Sequence, residues 1–311
     1  MSVEADQGLN IAALAHTGAP QTGVLRRLAR NRSVAIGGAI LGLIVLIALL
    51  APVLGTVDPK AIDPVYRNKP PGTEHELTAD DGRRTVQVYW MGTDSLGRDV
   101  YSRVIYGARI SLVVGIAVAA ISAVIGLAIG LVAGYIRWVD ALVMRLMDGL
   151  MAIPGILLAI GLVSIWGAGL FTVIFAIVVP EIPRTVRLVR SIVLGIREEP
   201  YVEAAIAAGT SLPLILLRHV MPNTIAPMIV QSTFVCASAI ITEAILSFLG
   251  IGIPTDIPTW GNIMADGRQL FRVYPHAILY PGIFLAVTVL AVNMLGDGLR
   301  DSLDPRMGKS I

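Results

Sequence analysis

Uncharged stretches long enough to cross a bilayer alternate along this chain with polar segments that hold its charges. Residues 34–54 carry no charge over 21 positions, which as a helix covers a hydrocarbon core of about 30 Å and predicts a first transmembrane segment. A second uncharged run, 110–136, stops at Arg137 and predicts helix two. Between Asp148 and Glu181 lie 32 uncharged residues, too many for one untilted span, with Trp166-Gly167-Ala168-Gly169 in the middle. Splitting there gives helix three at about 141–165 and helix four at about 170–190. Helix five begins after Pro222-Asn223 and runs to about Phe248, and helix six occupies about 277–295. Six spans are therefore expected in one membrane domain, 34–298, with a polar segment 1–33 before it and a tail 299–311 after it.

Composition agrees: 55% of the 311 residues are hydrophobic, 15% are charged, and mean hydropathy is +0.75. The net charge of +2 includes no basic tract of the kind that engages nucleic acid. The apolar run at 34–54 exceeds the 7 to 15 residues of a signal-peptide core and follows a long leader, so it is read as retained. With both termini in the cytoplasm, basic residues favour the inner loops, as the positive-inside preference requires. Cys236 is the single cysteine and sits in an apolar run, which excludes a disulfide framework within the chain.

The loop 195–222 has the punctuation of two short helices. Pro200 suits a first helical position, Glu198 and Glu199 suit the positive end of the dipole, and Gly209 can close the helix in a left-handed conformation. Ser211 is then a cap for a second helix that ends before Pro222. Ala204, Ala205, Ala207 and Ala208 coat the first helix and would let a partner approach its backbone closely. Two readings fit: a helix that inserts into a cytoplasmic partner, or one that packs on its own bundle.

The segment Glu203-Ala204-Ala205, with Gly209 six residues on and Val220-Met221-Pro222-Asn223 at the end, resembles the EAA loop of ABC-importer permeases. The family's usual ending is nearer Ile-Leu-Pro, and a larger residue often replaces Ala208. Gly92-Thr93-Asp94-Ser95-Leu96-Gly97-Arg98-Asp99, continuing through Arg103 and Tyr106 to Leu112, resembles the block before helix two in C-type dipeptide, oligopeptide and nickel permeases. Glu243 to Gly250, Thr259-Trp260-Gly261 and Asp301 to Arg306 are similar to the same family. The resemblance implies an all-α type I permease fold in a bacterial inner membrane. It implies docking of ATPase subunits on Glu203, Ala204, Ala205, Gly209 and Pro222. Partners would be a B-type permease forming a heterodimer, two ATPase subunits carrying ATP and Mg, an extracytoplasmic binding protein, and a peptide-like solute or nickel chelate.

Other residues leave choices open. In the outer loop, 56–109, Asp94 can cap a short helix lying flat on the membrane, with Val100 and Val104 on one face and Arg98 and Ser102 on the other. Such a helix would either receive a binding protein or be merely structural. Glu243, with Ser247 one turn on, is a carboxylate within an apolar span; it either lines the pathway or bonds a neighbouring helix. Used as a proton or cation site, it would make the chain an ion-coupled secondary transporter. Met144, Met147 and Met151 fit helix packing, and the four histidines lack ligand spacing, so no metal is assigned. No G-x-x-x-x-G-K-[ST] occurs, and nothing suggests catalysis; ATP hydrolysis is expected on separate subunits.

Overall fold

The computed structural model describes residue 28 and residues 30–78 and 84–303. The expectations for most of 1–33 and for 304–311, including Asp304-Pro305-Arg306, lie outside these residues.

Helix α1, Arg32–Leu49, is capped by Asn31, whose Oδ1 accepts the N–H groups of Ser33 and Val34. It is shorter than the expected 34–54. Pro52 cannot continue an α ladder, and the chain tightens into the 3-10 turn Ala51–Val53. The loop before the next long helix follows with a second 3-10 turn at Pro64–Tyr66 and an antiparallel hairpin, β1 Thr73–Thr78 with β2 Arg84–Tyr89, in a chain expected to be wholly helical.

Helix α2, Val100–Tyr135, corrects two expectations. Its cap is Asp99 rather than Asp94, and residues 100–109, expected as a flat surface helix, are the first turns of a helix of 36 residues, about 54 Å long. The loop expected at 56–109 therefore ends at Asp99. Further along α2, Gly126, Gly130 and Gly134 share one face, and a Cβ at each would stand 2.5–2.6 Å from Thr185, Val189 and Val193. These glycines let α5, Leu170–Ile196, lie directly on the α2 backbone, the small-residue packing expected where lipid supplies no hydrophobic drive.

The expected helix three is broken. Helices α3, Arg137–Met151, and α4, Gly155–Trp166, meet at 86°. Pro154 has no N–H to donate and holds Ile153 away from the α region, so the helix must restart. After α5 come α6, Pro200–Ala207, and α7, Leu212–Leu214. The second loop helix does not stop before Pro222. A π segment, Ile215–Val220, joins α7 to α8, Met221–Phe248, and absorbs the register change where the proline ring removes a donor. The short α9, Trp260–Gly267, leads to α10, His276–Leu303.

By length and composition, α1, α2, the continuous helix over 212–248 and α10 can each cross a membrane, and the bent α3–α4 pair makes five. Helix α5 bears Glu181, Arg184 and Arg187 and falls outside that set. The buried core has three parts. One joins α2, α4, α5 and α8 around Val118, Val173 and Leu246. A second joins α1, α2, α8 and α9 around Ile44, Val104 and Trp260. The third gathers Leu131, Val193, Val202 and Ile215 where α2 and α5 end.

Candidate functional site

The loop expected to dock a partner sits at the end of α2 away from Asp99. Pro200 opens α6, and Glu203 lies in its first turn. The helix closes as a Schellman motif: Gly209 at φ +78° donates to the Ile206 carbonyl at 2.9 Å, and Thr210 donates to Ala205 at 3.1 Å. Ser211 stands at the cap position of α7, but its side chain makes no capping bond. Val202 is the one buried residue of α6 and plugs into the third core cluster. Tyr201, Glu203, Ala204, Ile206, Ala207 and Gly209 are exposed, and Ala205 is half-buried. Pro222 is exposed at the start of α8. Beside it, Asn223 Nδ2 donates to the His219 carbonyl at 2.8 Å and to the Tyr201 hydroxyl at 3.2 Å, tying α6 to the base of α8.

At the other end, the block Gly92–Arg103 folds into a compact rim. Gly92 and Gly97 both have positive φ, and a Cβ on Gly97 would overlap the Asp63 carbonyl oxygen at 1.8 Å. Thr93 Oγ1 accepts from Lys69 N and donates to Tyr66 O, while the Thr93 carbonyl meets His276 Nε2 at 3.1 Å. Asp94 Oδ1 accepts from Leu96 N and Arg98 N at 2.8 and 2.9 Å, and its Oδ2 accepts from Arg98 Nε at 2.7 Å. Arg98 and Arg103 converge on Asp266 of α9, with Nη2 distances of 2.6 and 3.2 Å. Burial pushes the Asp266 carboxyl above the usual carboxylate range, against the pull of Arg103 and Arg98. Asp99 caps α2 through the N–H groups of Tyr101 and Ser102; burial raises it too, although these bonds favour the charged form.

Glu243 is fully buried, as is Ser247 at 1% exposure. Ser247 Oγ donates to Glu243 Oε1 at 2.8 Å, and Ser111 of α2 reaches Oε2 at 3.4 Å. Both side chains are enclosed among α2, α8 and α9. Among the described residues no group of three or more histidine, cysteine or acidic side chains could hold a metal.

One polar cluster went unnoticed in the sequence. Glu181 and Arg184 stand in the middle of α5, not at its end, and border a cavity at the α3–α4 break with Ser238 and Thr242 of α8. The run Pro180-Glu181-Ile182-Pro183-Arg184 inside a helix was the available signal.

The family model for the binding-protein-dependent transport system inner membrane component matches residues 126–309, and that for the N-terminal transmembrane domain of oligopeptide transport permease C matches residues 22–71. The chain is 53% identical to the probable peptide ABC transporter permease protein y4tQ of Sinorhizobium fredii, over 91% of this chain and 92% of that protein. It is 39% identical to the dipeptide transport system permease protein DppC of Alkalihalophilus pseudofirmus, over 93% and 90%. With the glutathione transport system permease protein GsiD of Escherichia coli it shares 44% identity, over 70% and 73%. A multi-pass helical bundle carrying the rim block and the loop around α6 is thus a C-type permease subunit of an ABC importer, and the chain belongs to the binding-protein-dependent transport system inner-membrane family.

Proposed function

We propose that this chain forms half of the translocation pathway of an ATP-driven peptide importer, with α6 as the element through which ATPase subunits move it. The observation that carries this reading is the construction of α6: a helix fixed by one buried valine and one polar tie, otherwise bare, at the end of the bundle remote from the rim. A docked helix biases a two-state bundle only if its contacts differ in free energy between the states. An anchored but exposed α6, joined through Asn223 to α8, suits that task. Peptides are the proposed solutes because relatives that match over nine-tenths of the chain are named for peptide and dipeptide transport.

The rest follows from this role. The pathway needs a second permease, proposed as a B-type partner in a heterodimer, and two ATPase subunits carrying ATP and Mg. The rim around Gly92–Asp99 would face an extracytoplasmic binding protein. Six spans, counting α5 and the bent α3–α4 pair, would put both termini on one face of the inner membrane, proposed as the cytoplasmic one. Purification of the tagged chain from native membranes in mild detergent tests the reading. Recovery of a second permease and ATPases, with ATP-dependent dipeptide uptake after reconstitution, is the expected result. A functional chain free of ATPases, taking up solute on a proton gradient, would refute it.

A further inference from the structure

The cavity at the α3–α4 break is polar in a part of the molecule where polarity is costly. Glu181 lies eleven residues into α5, about 16 Å along the helix axis and so near half the depth of a hydrocarbon core of about 30 Å. The break sits at the same level, because a Cβ on Gly155 would stand 3.2 Å from the Pro180 ring. Broken helices meeting ionisable residues at mid-depth are a recurring way to build a solute site in a membrane. Here they enclose about 270 Å³, just below the usual range for small-molecule sites, as expected if a facing permease supplies the other wall.

The charges are arranged for use. The Glu181 residue is 7% exposed, whereas the Arg184 side chain is 59% exposed. A guanidinium turned toward lipid at this depth is strongly unfavourable, so this face of α5 belongs against water or protein. Arg184 Nη1 and Ser238 Oγ both reach Glu181 Oε1, at 3.5 and 3.3 Å; Oε2 has no hydrogen-bond donor among the described residues. The ion pair is therefore long and single, and opening it frees one anionic and one cationic group side by side.

We propose that Glu181 and Arg184 form a transient binding station for the two charged ends of a peptide. Glu181 takes the α-ammonium group, Arg184 takes the α-carboxylate, and the pair recloses as the solute leaves. Each end gains a charge-assisted hydrogen bond in place of water, while the internal ion pair competes and keeps binding weak, as conduction requires. This assignment rests on the peptide-importer reading above.

The test uses the reconstituted complex with its partner subunits. Met151, exposed at the mouth of the cavity, serves as reporter: Met151→Cys in a Cys236→Ser background is labelled with a charged, membrane-impermeant methanethiosulfonate. Labelling should proceed and be slowed at least threefold by a free dipeptide, but not by the same dipeptide acetylated and amidated at its ends. Adding Glu181→Gln should remove the protection. In ATP-driven uptake, Glu181→Gln should lower dipeptide transport at least tenfold while the complex purifies intact. An unreactive Cys at 151, equal protection by both peptides, uptake within twofold of wild type, or loss of the second permease on purification would each overturn the proposal. If wild-type complex imports the dipeptide and any of these is seen, this site fails while the importer reading stands; if wild type imports no peptide, that reading fails first.

Discussion

The rim at Gly92–Arg103 and the loop around α6 are the two blocks whose sequence points most specifically to the family, yet they are built in opposite ways. In the rim, Asp94, Arg98, Asp99, Ser102, Arg103 and Asn262 are each less than a tenth exposed, and bonds from four separate segments hold them. Asn262 alone donates to the carbonyls of Ile253, Pro254 and Ile257. Trp260 locks α9 to α2 through its indole N–H on the Val104 carbonyl at 3.1 Å. In the loop, α6 buries one residue and makes its side-chain tie through groups open to water. Many redundant buried contacts make a surface that keeps its shape; few make one that opens and shifts at low free energy. A rim that holds its form and a loop that yields suit the proposed division, in which one end receives a solute carrier and the other follows the ATPases.

The contrast is sharpened most by breaking the rim. Gly97→Val places side-chain carbon on the Asp63 carbonyl and forces a β-branched residue to positive φ, so the protein should fail to accumulate in membranes, as judged by immunoblot. Next in size, Asp94→Asn keeps the shape but leaves Arg98 and Arg103 facing Asp266 alone. An uncompensated buried charge should cost about 3–5 kcal/mol, read as a large fall in the thermal unfolding temperature of purified protein. A fall no greater than that of an exposed rim substitution would mean the network is not what holds the rim.

The sequence reading located the long apolar helices, the loop helix and its glycine closure, because each is written locally in periodicity, charge and turn chemistry. It missed what depends on distant contacts. Asp94 and Asp99 are equally good caps in isolation; Asp99 wins because Ser102 and Tyr101 follow it and because Trp260 grips the first turns of α2. The 86° break was hidden because residues on either side of Pro154 are apolar, and hydropathy does not register a bend. The hairpin has charged residues on both strands and so shows no apolar face. The four-residue spacing of Gly126, Gly130 and Gly134 is a signal of close helix contact that the sequence reading does not use, and it names no partner. Glu181 is visible as a charge inside the expected helix four, 170–190, but the cavity beside it depends on the break at Pro154, which the sequence reading leaves out.

In the loop the expected stability effects are smaller and the functional ones larger. Gly209 has open space where a Cβ would stand, so Gly209→Ala is opposed only by its left-handed backbone, about 1–2 kcal/mol, and confined to α6. Gly209→Trp adds an indole projecting from the docking surface; the protein should remain in the membrane while ATP-driven uptake is lost, and unchanged uptake would refute the assignment of α6.

The smallest stability change belongs to Asn223→Ala. It removes two exposed hydrogen bonds whose net worth in water is at or below about 1 kcal/mol, so the unfolding temperature should hardly move. The Tyr201 bond is nonetheless the side-chain route from α6 to the foot of α8, and a tie that contributes little to folding can still decide whether two elements move together. Uptake by the reconstituted complex should therefore fall severalfold while ATP hydrolysis continues, and Tyr201→Phe, which removes that tie and leaves the Asn223–His219 bond, should lower uptake as far. If both variants transport normally, α6 and α8 move together through the Val202 contact alone, and the yielding loop is held by its single valine.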